Sequence, residues 1–392
     1  MNNSAEMLPM LKTALLLFAS FCTGSVLYAA SPAAPSYQVI AYVFSPAERL
    51  QPGQIDSSAV TRINYAFANV EDGRMVIGNP DDPANLAMLA SLRNSNPSLK
   101  ILISVGGWLW SGGFSDAAQS VQSRQKFIQS AIGFINLYHL DGLDIDWEYP
   151  GMPGAGHSFR SEDGQNFTAL LRELRAEFNR QARKTGTKLL LTIAAGASDE
   201  FLAHTDMRHA ATYLDTVNLM SYDYYEPGSG PTTGNHAPLF TDPADPEKVS
   251  ADASVKVFEK AGVPAKKLVV GVPFYGHMWG HVPAVNHGLF QPGASIPNAY
   301  APFSLIESSM LNHGFTRYWD SASSAPYLYS PDKQIFVSYE DVESVALKCR
   351  YVRTHHLAGV MFWSYLNDSH GKLLSTIASE LLHRRPPAAS QP

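Results

Sequence analysis

The chain has 392 residues, 45% of them hydrophobic and 16% charged, with a formal net charge of −6. That is ample for a sizeable core and lies within the length that an α/β barrel with insertions reaches. No basic run occurs, which excludes nucleic acid and anionic membrane as expected partners.

In chain order, the first feature reads as an export signal. Lys12 precedes an apolar run, Thr13 to Val26, too short for a transmembrane span, and Ala29-Ala30 precedes the Pro/Ala-rich Ser31 to Pro35. The pattern matches a cleavable secretory peptide over residues 1–30, with secretion or periplasmic delivery as its consequence. An uncut N-terminal anchor is the alternative. Cys22 falls inside this segment, so Cys349 would stand alone in the mature chain. It lies in a helical pattern and is expected to be a packed residue rather than a nucleophile.

Eight apolar runs then follow as strands: Gln38–Phe44, Arg62–Asn69, Lys100–Gly106, Gly142–Glu148, Lys188–Ala194, Thr216–Tyr222, Leu268–Phe274 and Leu357–Ser364. Several are apolar almost throughout, as suits parallel strands covered on both faces. Helical spacing separates them, as in Ser123–Tyr138 and Gly164–Lys184. The second of these places Phe167, Leu170, Leu171, Leu174 and Phe178 on one stripe. Repeated β-then-α units predict an α/β fold, the (β/α)8 TIM barrel.

About 80 residues separate the seventh and eighth runs, too many for a structureless loop. Residues 277–339 are expected to form a small α+β insertion. The barrel then occupies 36–276 and 340–384, with a Pro/Ala-rich tail over 385–392.

The most informative stretch is Leu140-Asp-Gly-Leu-Asp-Ile-Asp-Trp-Glu-Tyr-Pro150. Alternate residues of a strand share a face, so Asp144, Asp146 and Glu148 face one way and Ile145 and Trp147 the other. Three ionised carboxylates stacked in a barrel interior repel one another, and at least one should hold a proton at neutral pH. That is costly as structure and useful as acid/base chemistry. A solvated acidic strand fits poorly with the apolar, aromatic surroundings. A metal site would want histidines at neighbouring strand ends, and none is evident, so no metal or cofactor is expected. Asp141 has the opposite parity and reads as structural.

The pattern Asp141-x-x-Asp144-x-Asp146-x-Glu148 resembles the signature of glycoside hydrolase family 18, the chitinases. Ser104-Val-Gly-Gly107 and Met220-Ser-Tyr-Asp223 resemble that family's third- and sixth-strand motifs, and Trp363 resembles the tryptophan that floors its cleaved site. The likeness runs from about Tyr37 to Leu382 and includes the insertion. It implies that Glu148 protonates the leaving oxygen and that Asp146, with Asp144 behind it, orients the substrate's acetamide. The acetamide oxygen itself attacks the sugar, so configuration is retained. That makes the family an exception to the two-carboxylate rule of glycosidases. The resemblance further implies a hydrogen bond from Tyr222 to the acetamide oxygen and a sugar hydrogen bond to Asp223. Tyr42 and Ser104 would hydrogen-bond Asp144. Met220 and Tyr275 are placed with the substrate. His277 is a departure, because many relatives carry arginine there.

Five of the six tryptophans (Trp108, Trp110, Trp279, Trp319 and Trp363) follow strand ends or lie in the insertion, where a barrel mouth would be lined. Sugar rings stack their C–H faces on aromatics, and Trp108 and Trp363 are the chosen contacts. Phe114, Tyr224, Tyr225, Phe274 and Tyr275 extend the aromatic supply. Chitin or N-acetylglucosamine oligosaccharides are thus the expected partner of a monomeric enzyme. Two alternatives stand beside the chitinase: an endo-β-N-acetylglucosaminidase acting on glycans, and a chitin-binding lectin of weak catalysis. A phosphate-handling barrel would want a Gly-rich loop after the last strands, and Ser364-Tyr-Leu-Asn-Asp368 does not supply one.

Overall fold

The computed structural model describes residues 37–46 and 48–382, so the expected export signal and the tail from 385 lie outside the described residues. Eight parallel strands close on themselves: Gln38–Phe44, Arg62–Glu71, Lys100–Gly106, Gly142–Asp146, Leu190–Gly196, Thr216–Met220, Leu268–Pro273 and Gly359–Trp363. The first pairs with both the second and the eighth, which completes the barrel. A three-residue strand, Arg74–Val76, adds antiparallel to the second.

The helices form because their apolar stripes match this barrel's outer surface. In Asp163–Thr185 the stripe Phe167, Leu170, Leu171, Leu174 and Phe178 is buried, and the helix stops at Gly186, whose φ of +76° suits glycine. Val121–Leu137 starts at a capping box in which Ser120 and Ser123 exchange side-chain and backbone hydrogen bonds, and Val342–Thr354 starts in the same way from Asp341 and Ser344. Cys349 is fully buried in the latter helix, where burial pushes its thiol pKa up. No helix among the described residues is long and apolar enough to cross a membrane.

The β-then-α alternation has one gap. Among the described residues, no helix joins the first two strands. Pro46, Pro52 and Gly53 deny that connection a helical run, and buried Leu50, Ile55 and Val60 seal it to the core instead.

Between the seventh and eighth strands lies a five-stranded antiparallel sheet. Its order is Ala294–Pro302, Tyr275–Gly280, Ile335–Ser338, Ala325–Ser330, Thr316–Asp320, and a helix, Phe303–Ser309, accompanies it. It begins two residues earlier than the spacing suggests, because Tyr275 and Gly276 already pair with Ala301 and Pro302. Trp279 is not at the barrel mouth. It is 0% exposed in a core with Val282, Leu289, Tyr327, Tyr329 and Phe336. Trp319 sits on the outermost strand of this sheet, with the Arg317 guanidinium 5.2 Å from its ring centre.

Candidate active site

The fourth strand runs as its parity dictates. Ile145 and Trp147 face the packed layer outside the barrel, where Trp147 stacks on Phe114 at 5.3 Å. Asp144 and Asp146 face inside and are buried. The ladder stops at Asp146, two residues short of the expected end. There the chain is taken over by Ser111: its hydroxyl lies 3.0 Å from the Asp146 carbonyl and accepts the Glu148 N–H at 2.9 Å. Glu148 is thereby held at the rim rather than in the sheet. Asp141 caps the strand from below, accepting from Arg93, Lys100 and the Ile101 N–H, which is a structural role.

The Ser104-Val-Gly-Gly107 stretch has a steric reason. A Cβ on Gly106 would fall 2.1 Å from the Asp146 carbonyl oxygen, and one on Gly107 would fall 2.7 Å from the Phe67 ring. Both glycines also have positive φ.

Asp144 accepts from four side chains: Tyr42 at 2.8 Å, Ser104 at 2.9 Å, Asn218 at 3.2 Å and the Thr192 hydroxyl. These fill the lone-pair positions a carboxylate offers. Asn218 also donates to the Tyr42 hydroxyl at 2.9 Å, so side chains from four strands clamp one carboxylate. Asp146 is different, because its Oδ1 is buried with no hydrogen-bond partner. Burial, then the charges of Glu148 and Asp144, push its pKa well above the ordinary carboxylate value. Burial likewise raises Glu148 to about 7, with Asp223 and Glu226 adding to the effect and a hydrogen bond from Tyr149 opposing it. The electrostatics thus keep protons at the Asp146–Glu148 end of the row at neutral pH.

Asp146 and Glu148 open into a cleft of about 730 Å³ at the carboxyl ends of the strands, lined also by Tyr42, Trp108, Met220, Tyr222, Tyr275 and Trp363. This is a size and composition typical of small-ligand sites. Asp144 and Ser104 sit behind that wall, fully buried. Trp363 forms an aromatic floor with Phe67, stacked at 5.4 Å, and Phe44, also at 5.4 Å. Trp108 is 51% exposed. Its neighbour Trp110 meets Phe67 edge-on at 6.1 Å. Tyr222 stands edge-on to Tyr275 at 6.2 Å, and burial raises its hydroxyl pKa well above the ordinary value. Tyr224 reaches the cleft as well. Phe114, Tyr225 and Phe274, grouped with the cleft aromatics by sequence, are core residues at 0%, 6% and 1% exposure.

Asp223 adopts a φ of +58° beside Tyr222. The Tyr275 hydroxyl lies 2.6 and 2.7 Å from its two oxygens, and His277 Nε2 and His236 Nδ1 approach Oδ1 at 2.8 and 3.3 Å. Burial pushes this carboxyl up, but the two histidine hydrogen bonds more than offset it and hold the carboxyl well below the ordinary value. Asp223, His236 and His277 offer three ligand atoms within 4.8 Å of one another, a set able to hold a metal ion. The sequence gives no sign of that set, because His236 comes from a loop far from any strand end.

Thr192, Asn218, Ser111, Tyr149 and His236 were not among the sequence-derived candidates. Thr192 had a readable signal, a lone polar residue at inward parity within an apolar strand, and Asn218 shares inward parity with Thr216 in its own strand. Ser111 and His236 had none.

Inward carboxylates at the mouth of a parallel barrel, beside an aromatic cleft, define a hydrolase-type site for a ligand with both apolar faces and polar groups. The profile of Glycosyl hydrolases family 18 matches residues 38–368, and the chain belongs to that family. Chitinase A1 of Niallia circulans is 35% identical over 90% of this chain and 60% of its own, so the chain spans about 60% of that relative's length. Among solved structures, a family 18 N-acetylglucosaminidase from Paenibacillus barengoltzii superposes with a TM-score of 0.80 at 40% identity, covering 88% of this chain and all of the other. A class V chitinase from Nicotiana tobaccum in complex with NAG4 gives 0.80 at 30% identity, covering 88% and 99%.

Proposed function

We propose that the protein hydrolyses β-1,4 N-acetylglucosamine linkages in chitin or its oligosaccharides, with retention of configuration and with the substrate's own acetamide as nucleophile. Glu148, in its protonated form, gives its proton to the glycosidic oxygen as the C1–O bond breaks. The acetamide oxygen of the same sugar closes on C1 to form an oxazolinium ion. Asp146 accepts the acetamide N–H as positive charge develops on that nitrogen, and Tyr222 donates to the acetamide oxygen to align it. Water then attacks C1, loses a proton to Glu148, and returns the acetamide. Asp144 acts only through Asp146, as a fixed charge behind it.

The observation that supports this reading best is the unpartnered, buried Oδ1 of Asp146 between a fully satisfied Asp144 and Glu148. An orphaned acceptor in a dry site costs free energy unless a ligand donor completes it. The other acid nearby, Asp223, is already engaged by Tyr275, His277 and His236, which makes it a poor second nucleophile. Trp363 and Trp108 supply stacking faces, with Met220 and Tyr275 beside them. The NAG4 complex of the Nicotiana tobaccum relative is in keeping with an oligosaccharide in this cleft. Export after removal of residues 1–30 belongs to the same proposal.

The test is hydrolysis of fully acetylated and fully deacetylated oligomers, with products read by mass spectrometry. The acetylated chain alone should be cut, and a thiazoline analogue of the cyclic intermediate should inhibit competitively. Equal cleavage of both chains, or a covalent glycosyl adduct on any carboxylate, would sink the mechanism. Release of single N-acetylglucosamine units rather than short oligomers would align the activity with the Paenibacillus barengoltzii enzyme.

A further inference from the structure

From the placement of Asp223, His236 and His277 we infer a second ligand site at the cleft wall: a binding site for a zinc-class divalent cation, whose occupation competes with the sugar. The three donor atoms come from three separately anchored segments. Asp223 follows the sixth barrel strand. His277 lies on the first strand of the inserted sheet, on the same face as Tyr275. His236 is fastened to that sheet by its backbone N–H, which donates to the Ser338 hydroxyl at 2.8 Å.

Two of the three ligand-atom spacings come close to those of a small tetrahedral ion, and the third is within 4.8 Å. Zinc bonds of about 2.0–2.1 Å place adjacent ligand atoms roughly 3.3 Å apart. Here His236 Nδ1 stands 3.3 Å from Asp223 Oδ1 and His277 Nε2 stands 2.8 Å from it, so a modest opening at His277 makes the edge. Glu226 Oε1, 3.9 Å from His277 Nε2, lies within reach of the fourth position, which otherwise faces the cleft. Two imidazoles and one carboxylate favour zinc or copper over the all-oxygen preference of calcium and magnesium. The Tyr275 hydroxyl on both Asp223 oxygens fixes the carboxylate's orientation, as an outer partner of a metal ligand does. One term opposes binding. With Nδ1 on the metal the ring proton moves to Nε2, which is buried without a partner, so His236 is the weakest of the three ligands.

A cation here withdraws Asp223 from the sugar and sets positive charge beside Tyr222 and Glu148. That competition rests on the function proposed above, whereas the metal site does not. The experiment is calorimetric titration of untagged, full-length protein with zinc chloride, without substrate. One equivalent should bind, and cobalt(II) should give the visible absorption of a tetrahedral site. His277→Gln should weaken uptake by at least ~10-fold, the loss that removing even an outer partner brings. His277→Arg, which keeps a hydrogen-bond donor beside Asp223, serves as the second variant if the first unfolds. In Glu148→Gln, which retains all three ligands, zinc should weaken binding of the N-acetylglucosamine tetramer. Absence of stoichiometric uptake, uptake unchanged in both His277 variants, or tetramer affinity indifferent to bound zinc overturns the inference. If zinc binds as expected but the tetramer fails to bind even without it, the metal site stands and the glycosidase reading falls.

Discussion

The hydroxyl of Ser111 accepts the backbone N–H of Glu148 at 2.9 Å and so fixes where the acid leaves the sheet. The same hydroxyl lies 2.9 Å from the Gly107 carbonyl and 3.0 Å from that of Asp146, which ties the third-strand loop to the end of the fourth strand. Ser111→Ala leaves the Glu148 N–H without a partner in a buried site, while the Gly107 and Asp146 carbonyls keep the N–H groups of Trp110 and Gly107. It should cost about 1–3 kcal/mol of stability and lower kcat more than it raises KM, because the acid loses its position rather than the cleft its stacking faces. Thermal melts and steady-state kinetics on a chromogenic N-acetylglucosamine oligomer check both.

Glu148→Gln removes the proton donor while keeping shape and hydrogen-bonding reach. Turnover should fall by ~10²–10⁴-fold or more, with oligosaccharide binding retained in calorimetry. A variant that turns over as fast as the wild type would remove Glu148 from the mechanism.

The raised pKa values of Glu148 and Asp146 make a pH prediction of definite sign. Activity needs the protonated Glu148, so kcat/KM should decline as pH rises through about 7. Stability moves the same way. A carboxyl whose pKa is higher folded than unfolded binds more protons in the native state, so its contribution is intact below the unfolded value and lost as pH rises through the folded one. Glu148→Gln, which carries no charge, should therefore be the more stable protein at pH 8, by roughly 1–3 kcal/mol. The difference should vanish near pH 4. Chemical denaturation of both proteins at the two pH values measures it.

Trp363 is stacked on Phe67 and packed at a tilt against Phe44, so its removal should flatten the floor without opening the barrel core. Trp363→Ala should weaken oligosaccharide binding by about 1–3 kcal/mol, by analogy with base–aromatic stacking, and leave most of the melting temperature in place. Unchanged affinity would mean that the ring does not contact the sugar.

Tyr42→Phe deletes one donor to Asp144 and one acceptor for Asn218, both fully buried. A cost of about 1–3 kcal/mol follows from the unmet groups. The melt should shift, and activity should drop further than the small change of shape explains, because Asp144 is the charge behind Asp146.

What the sequence determined by itself was everything with a short period. The two-residue alternation of a strand placed Asp144 and Asp146 inside and Trp147 outside, and runs of apolar residues marked eight barrel strands. The helical stripe from Phe167 to Phe178 needed only its own spacing. The tertiary structure decided what depends on register and on loops. Strand pairing set Ser104 and Thr192 opposite Asp144. Ser111 ended the fourth strand at Asp146, although parity alone would have carried it to Glu148. Trp279 was drawn into the core of the inserted sheet, because a tryptophan's large apolar area is worth more buried than exposed. His236, with no strand or motif of its own, met Asp223 and His277 because its loop closes back on Tyr224 and is fastened to Ser338 of the inserted sheet. A local pattern states which way a side chain points, and only closure of the barrel determines which groups it meets there.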